Sequence, residues 1–277
     1  MKQVTLPCGE SVSALGQGTW FLGDDPDTRA DEIAALRTGL DCGMRLIDTA
    51  EMYGGGRSER LVGEAIAGRR DEVFLVSKVL PSNAGRDQAV AACEASLKRL
   101  GTDRLDLYLL HWQGAAPYAD TIAAFEQLKA DGKICHYGIS NLDLDASRQF
   151  VGTAGGAAIQ TNQLLYNLNQ RGIEWDLLPW LQDKGITTMA YSPFDGGNLT
   201  SHAGLTEFAA ARDMTAAQAS LAWLLAHPGV IPIPKSASVD RVTENAAAAP
   251  FELDASDHAA LDALFLPPAA PSSLQIY

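Results

Sequence analysis

The sequence predicts an α/β protein: a (β/α)8 (TIM) barrel with an N-terminal hairpin and extra C-terminal helices. Three observations carry the prediction. Eight short apolar runs with β character recur at fairly even spacing. Stretches with helical periodicity separate them. The chain has 277 residues, close to the roughly 250 of a barrel of this kind. Right-handed crossovers make closure natural. No linker or low-complexity segment interrupts the pattern, so residues 1–277 are expected to form one domain.

The first dozen residues, with Pro7-Cys8-Gly9, are expected to form a hairpin plugging the barrel's bottom. Strands are expected at 15–20 (LGQGTW), 44–49 (MRLIDT), 73–79 (VFLVSKV) and 105–111 (LDLYLLH), then at 134–140 (ICHYGIS), 157–163 (AAIQTNQ), 186–192 (ITTMAYS) and 230–235 (VIPIPK). Several are apolar throughout, as suits strands buried on both faces. Between them, Val90, Cys93, Leu97 and Leu100 share one helical face, as do Leu61, Val62, Ala65 and Ile66, and Ile122, Phe125 and Leu128. Thr28-x-x-Asp31 reads as a capping box for the first helix. Gly101, Gly132 and Gly185 sit where helices should stop. A long gap before the last strand predicts an extra element near 200–228. A helix, ASDHAALDALF, and a Pro-rich tail, LPPAAPSSLQIY, extend past the barrel.

Composition narrows the function. A formal charge of −13 argues against a nucleic-acid partner. No apolar run is long enough to span a membrane, and MKQVTLPCGE has no secretory apolar core. Four scattered cysteines without a C-x-x-C read as free thiols in a reducing cytosol, and no metal-binding motif is present. A monomeric cytoplasmic protein is expected. The competing doubly wound fold normally carries G-x-G-x-x-G, which is absent, as are a Walker A sequence and G-x-S-x-G.

Chemistry in a barrel sits at the carboxyl ends of the strands. The polar residues there are Asp48, Tyr53 in the following loop, Lys78 and His111. An ammonium inside VFLVSKVL needs a partner, and Asp48 on the neighbouring strand supplies one. Lys78 would lower the pKa of the Tyr53 phenol, ordinarily about 10. His111 would orient a carbonyl oxygen by a hydrogen bond. Such a set polarises C=O and protonates the forming alkoxide. The missing nucleophile fits a hydride from a nicotinamide.

In these residues the sequence resembles the aldo-keto reductases, over nearly its whole length. LIDTAEMYGGGRSERLVGEAI is similar to that family's Asp/Tyr signature with its glutamate and glycine, Glu59 and Gly63. FLVSKV resembles the lysine strand and LDLYLLHW the histidine strand. GISN, AYSP and IPKSASVDRVTEN resemble cofactor segments. The resemblance implies NADPH as cofactor, no metal, and a small-molecule carbonyl substrate. It implies a catalytic set of Asp48, Tyr53, Lys78 and His111. Ser140, Asn141 and Gln163 would hold the nicotinamide carboxamide, Tyr191 would stack on the ring, and Ser192 would meet the pyrophosphate. Lys235, Ser236, Ser238 and Arg241 would take the adenosine 2′-phosphate, with Glu244 and Asn245 near the adenine. Segment 113–120 and the tail look short for the family. The overall look is that of bacterial reductases of small aldehydes, including methylglyoxal.

Singly, Asp48 could be a strand cap, Tyr53 a loop tyrosine and His111 a structural histidine. Trp20 and Trp112 could be core, but their strand-end positions favour a pocket wall. Trp175, Trp180 and Trp223 read as packing, and His136, His202, His227 and His258 as structural or surface residues without visible partners. Gly196-Gly197 could be the hinge of a flap, 194–204, over the cofactor. Two other functions remain open: a Schiff-base aldolase using Lys78, and a non-catalytic subunit that binds NADPH.

Overall fold

The computed structural model describes residues 1–277. A hairpin of β1 (Gln3–Thr5) and β2 (Ser11–Ser13) precedes eight parallel strands. These are β3 (Gly16–Gly18), β4 (Leu46–Asp48), β5 (Phe74–Val79) and β6 (Leu105–Leu110), then β7 (Ile134–Ser140), β8 (Thr161–Leu165), β9 (Thr187–Tyr191) and β10 (Val230–Pro232). Each pairs with the next in chain order. A parallel bridge between Gly18 and Lys235 closes the ring, with Gly18 N donating to Pro234 O at 2.9 Å. Closure requires glycine there. A Cβ on Gly18 would lie 2.8 Å from Ile233 O.

Helices α1 (Arg29–Asp41), α2 (Arg57–Ala65), α3 (Arg86–Leu100), α4 (Tyr118–Ala130), α5 (Leu144–Gly152) and α6 (Leu177–Asp183) wrap the strands. The predicted insertion near 200–228 is two helices, α7 (Ala203–Ala210) and α8 (Ala216–Leu225). Helices α9 (Val239–Ala246) and α10 (Ala255–Leu264) complete the chain before the tail. Gly101, Gly132 and Gly185 all take the left-handed conformation just past their helices.

Two apolar layers result from strand alternation. Leu46, Val76, Leu107, Leu109, Met189 and Ile231 fill the barrel interior, with Leu6 and Val12 of the hairpin closing one end. Leu75, Tyr108, Ile139 and Leu164 face the surrounding helices. This parity positions the site. Counting by twos from Leu46, from Val76 and from Leu109 brings the inward face to Asp48, Lys78 and His111 at the carboxyl ends.

Some expectations change. Thr28 does not form a capping box: its backbone is helical, and its hydroxyl donates to Asp25 O and Glu32 Oε1. The strand expected from 157 begins only at Thr161, because Gly156–Ala158 close a 3-10 turn. Trp175 is 47% exposed rather than packed, whereas Trp223 is fully buried. His202, His227 and His136 do have partners: Leu205 N, Trp223 O and the Glu10 carboxylate. Glu59 is a buried strut. It accepts from Ser77 Oγ at 2.7 Å and Arg99 Nε at 2.5 Å, tying α2 to β5 and α3.

Candidate active site

Tyr53 reaches the barrel mouth from the turn after β4. Gly54, Gly55 and Gly56 follow it with φ of 56°, 59° and 85°. Three consecutive left-handed residues would strain any other side chain, so the triple glycine turns the chain sharply and leaves Tyr53 facing inward, nearly buried. Lys78, fully buried, donates to Asp48 Oδ2 at 2.7 Å, to Thr49 O at 2.9 Å and to the Tyr53 hydroxyl at 3.1 Å. These are all the donors an ammonium has. Asp48 Oδ1 accepts from Gln163 Nε2 at 2.7 Å.

Electrostatics follow from burial and from this geometry. Burial disfavours the Lys78 charge, but Asp48 and Tyr53 outweigh it, so the lysine pKa rises and the ammonium persists. Burial pushes Asp48 upward against the pull of Lys78 and the hydrogen bond from Gln163. The expected lowering of the Tyr53 pKa is not the net outcome. Lys78 does pull it down, but burial, aided by the Asp48 charge, raises it further. Tyr53 is therefore held as a neutral phenol. Burial, with Lys78 nearby, pushes the His111 pKa down to about 2, so the imidazole is neutral. The His111 and Tyr53 rings meet edge-on with centroids 5.8 Å apart.

Ser140 and Asn141 end β7 beside His111. Asn141 Nδ2 donates to His111 O, and its Oδ1 accepts from the Tyr191 hydroxyl at 2.9 Å. Ser140 Oγ donates to Gln163 O. Phe21, Asn141, Ser192 and Asp195 all have positive φ, between 51° and 67°. Such strain in non-glycine residues clusters at ligand sites.

The far side of the mouth is built by the segment after β10. Ser238 caps α9, its hydroxyl accepting from Arg241 N at 3.4 Å. Lys235 and Arg241 are exposed there, and no carboxylate lies within ion-pair distance of either. A cavity of about 740 Å³ joins this end to Tyr53 and His111. Trp20 and Trp112 line it, as do Gln163, Tyr191, Ser192, Ser236, Glu244 and Asn245. Lys78, Ser140 and Ser238 are not on its wall; each is hydrogen-bonded to a residue that is, respectively Tyr53, Gln163 and Arg241.

Several lining residues escaped the sequence reading. Thr215, Ala216 and Ala217 present the capped N-terminus of α8 to the cavity, an anion-favouring element. Thr215-x-x-Gln218, a capping box, was the available signal. Ile276 and Tyr277 also line the cavity. The tail does not run off past the barrel but returns to its mouth, where the Tyr277 hydroxyl donates to Asp195 Oδ1 at 2.8 Å. Asp195 lies in the 194–204 segment, two short 3-10 turns that contribute Phe194, Gly196, Gly197 and Thr200 to the wall.

A closed eight-stranded barrel carrying a lysine-backed tyrosine, a neutral histidine and a cationic far end along one cavity has the architecture of a cofactor-dependent oxidoreductase. The chain belongs to the aldo/keto reductase family, whose model matches residues 14–265. It is 48% identical over 280 residues to methylglyoxal reductase YeaE of Escherichia coli (strain K12), covering 99% of each chain. It is 36% identical over 264 residues to glyoxal reductase of Bacillus subtilis (strain 168), covering 94% of this chain and 92% of that one. The structure resembles that of an aldo-keto reductase from Klebsiella pneumoniae in complex with NADPH. That match has a TM-score of 0.97 and 46% identity, and covers 100% of both chains.

Proposed function

We propose that the protein reduces a small aldehyde or ketone, with methylglyoxal or another 2-oxoaldehyde as the candidate substrate, using NADPH. One observation carries this reading: a single cavity joins the Lys78-backed Tyr53 to two unpaired cations and a capped helix N-terminus. The residues present fit NADPH. Lys235 and Arg241, with Ser236 and the Ser238-capped end of α9, suit the adenosine 2′-phosphate. Glu244 and Asn245, on the same stretch of wall, suit the adenine. Ser192 and the α8 N-terminus suit the pyrophosphate. Asn141, Gln163 and Tyr191 suit the nicotinamide, with Ser140 setting the backbone that carries Gln163. NADPH, when bound, supplies the hydride received by the carbonyl carbon.

The chain does the rest. Tyr53 gives its proton to the carbonyl oxygen as charge develops there. Lys78 can only donate to the Tyr53 oxygen, so it stabilises the phenolate as it forms, and Asp48 holds the ammonium in place. A neutral His111 has one ring N–H to offer the same carbonyl oxygen. Trp20 and Trp112 wall the substrate end. The 48% identity to a methylglyoxal reductase supports the 2-oxoaldehyde assignment.

An aldolase reading is disfavoured, because Lys78 is protonated, fully buried and has no free donor. The non-catalytic alternative keeps the same cavity and is separated from a reductase only by turnover. Within the reductase reading the chain acts as one domain, as a monomer, in the cytoplasm. No helix is long and apolar enough to cross a membrane.

The test is NADPH consumption, followed by absorbance, with a panel of carbonyls that includes methylglyoxal, glyoxal, simple aldehydes and keto acids. Turnover with methylglyoxal at a kcat/KM above that of the simple aldehydes is expected. Absence of turnover with every aldehyde would sink the catalytic reading and leave the binding subunit.

A further inference from the structure

The opposite end of the barrel carries a second cluster of chemically capable side chains. The turn between β1 and β2 is held by Leu6 N donating to Glu10 O and by Gly9 N donating to Leu6 O, both at 2.8 Å. Gly9 has a φ of +91°, so Cys8 and Glu10 flank a left-handed residue. The turn is tied to the barrel by Cys8 N, which donates to Gln160 Oε1 at 2.8 Å. Against it stands His136, near the amino end of β7. Four residues separate His136 from Ser140, about 13 Å at the rise of an extended strand. The cluster therefore lies at the mouth plugged by the hairpin, away from Tyr53.

Three unlike ligand atoms converge here. His136 Nε2 is 3.0 Å from Glu10 Oε2 and 3.7 Å from Cys8 Sγ. All three atoms lie within 4.8 Å of one another. A tetrahedral zinc ion with ordinary bonds to sulfur, nitrogen and oxygen spaces its ligand atoms about 3.2–3.6 Å apart. Two of the three separations lie just either side of that interval and the third, sulfur to oxygen, is no more than 4.8 Å, so side-chain rotation can bring the three atoms onto one ion.

The same nitrogen faces both the thiol and the carboxylate. A relay that activated Cys8 as a nucleophile would use the two ring nitrogens in series, one for the thiol and one for the carboxylate. Convergence on Nε2 alone defines a point outside the ring, where a metal ion bonds. Thiolate, imidazole and carboxylate together suit zinc rather than the hard cations, which prefer oxygen. Cys8 has no disulfide partner to claim its sulfur.

We propose that Cys8, Glu10 and His136 bind one Zn²⁺ ion, or a thiophilic divalent ion of similar size. The ion would fasten the N-terminal hairpin to β7, and water would complete the tetrahedron. Binding would release the Cys8 thiol proton. The site is independent of carbonyl reduction and stands or falls separately from it.

The experiment uses full-length, tag-free protein, stripped of metal with a chelator and desalted. Zn²⁺ is titrated in competition with a chromophoric chelator, and Co²⁺ is added separately to detect a thiolate-to-cobalt charge-transfer band. One Zn²⁺ per chain and a cobalt–thiolate band are expected, with a melting temperature that rises with Zn²⁺ because the ion binds the folded chain. Cys8→Ser and His136→Gln each remove a direct ligand and should weaken Zn²⁺ binding by at least about 100-fold, the upper end of what residues behind the ligands contribute, and Cys8→Ser should abolish the cobalt band. Cys42→Ser, which removes a thiol elsewhere, should change neither. Circular dichroism checks that the variants fold, and the cobalt band in the unmodified protein keeps the test valid if His136→Gln does not. No cobalt–thiolate band in the unmodified protein, or unchanged Zn²⁺ affinity in Cys8→Ser, overturns the proposal.

Discussion

Lys78 Nζ donates to the Tyr53 hydroxyl oxygen at 3.1 Å, and no protein group accepts the hydrogen of that hydroxyl. An ammonium has no lone pair, so the direction of this bond is fixed. The phenol accepts from behind and keeps its own proton for whatever occupies the cavity in front. A raised phenol pKa in this state agrees with that role, because an acid must hold its proton until a substrate oxygen needs it.

Tyr53→Phe removes one oxygen and leaves the ring, with its stacking on Trp20, in place. We expect kcat to fall at least about 100-fold, the usual scale of general-acid contributions. NADPH binding should be nearly unchanged in a fluorescence titration. A variant that retained half its activity would remove Tyr53 from the role.

Lys78→Met leaves Asp48 facing an apolar side chain in the barrel interior, where both partners are all but fully buried. Breaking a buried pair costs roughly 3–5 kcal/mol. For a chain of 277 residues that is a fall of at least about 5 °C in melting temperature. Asp48→Asn keeps a hydrogen-bond acceptor for Lys78 and should destabilise less. Calorimetry on the three proteins decides. An unchanged melting temperature in Lys78→Met would mean that the pair contributes nothing to stability.

His111 gives the fold a pH dependence of known sign. Its folded pKa, about 2, lies below the value of roughly 6.5 expected when unfolded. Between these limits the unfolded chain binds the extra proton, so stability rises with pH. The contribution is complete above about pH 6.5 and is lost progressively on acidification, with a slope of up to about 1.4 kcal/mol per pH unit. Urea unfolding of the wild type and of His111→Gln, at three values between about pH 5 and 7, isolates it. The wild type should lose stability faster as pH falls, and parallel curves would refute the assignment.

Much of the candidate site was legible in the sequence because Asp48, Lys78 and His111 are the polar residues at the ends of otherwise apolar strands, and the strand parity seen in the structure turns them inward. Once Leu46, Val76 and Leu109 face inward, Asp48, Lys78 and His111 must as well. The triple glycine after Tyr53 likewise pointed to a tight turn, since three left-handed residues in succession favour glycine. What could not be read depended on long-range return or on the balance of opposing effects. Tyr277 is 82 residues from Asp195 in sequence, and nothing local in LPPAAPSSLQIY says that it comes back to the mouth. The direction of the Tyr53 shift needed the extent of burial, which a list of neighbouring charges cannot supply. Thr28 failed as a cap because the 3-10-like turn before α1 left its backbone helical, a matter of φ and ψ rather than residue type.

Cofactor preference offers a test of the cavity's far end. NADPH differs from NADH by one phosphate on the adenosine ribose. A protein with a formal charge of −13 repels that phosphate at long range, so discrimination must come from local groups. Lys235 and Arg241 stand on the cavity wall without carboxylate partners, and Ser238 aligns the first N–H groups of α9 beside them. Hydrogen bonds to charged groups contribute roughly 1.5–3 kcal/mol each, while a tenfold preference needs only about 1.4 kcal/mol. One partly solvated contact is enough, so NADPH should bind at least about tenfold tighter than NADH. Quenching of tryptophan fluorescence measures both affinities, in wild type and in Arg241→Ala. The gap should shrink in the variant because NADPH weakens while NADH is little changed. Added salt should narrow it too, since these exposed cations are screened. Equal affinities in the wild type would reject Lys235 and Arg241 as the phosphate site while leaving Tyr53, Lys78, Asp48 and His111 untouched.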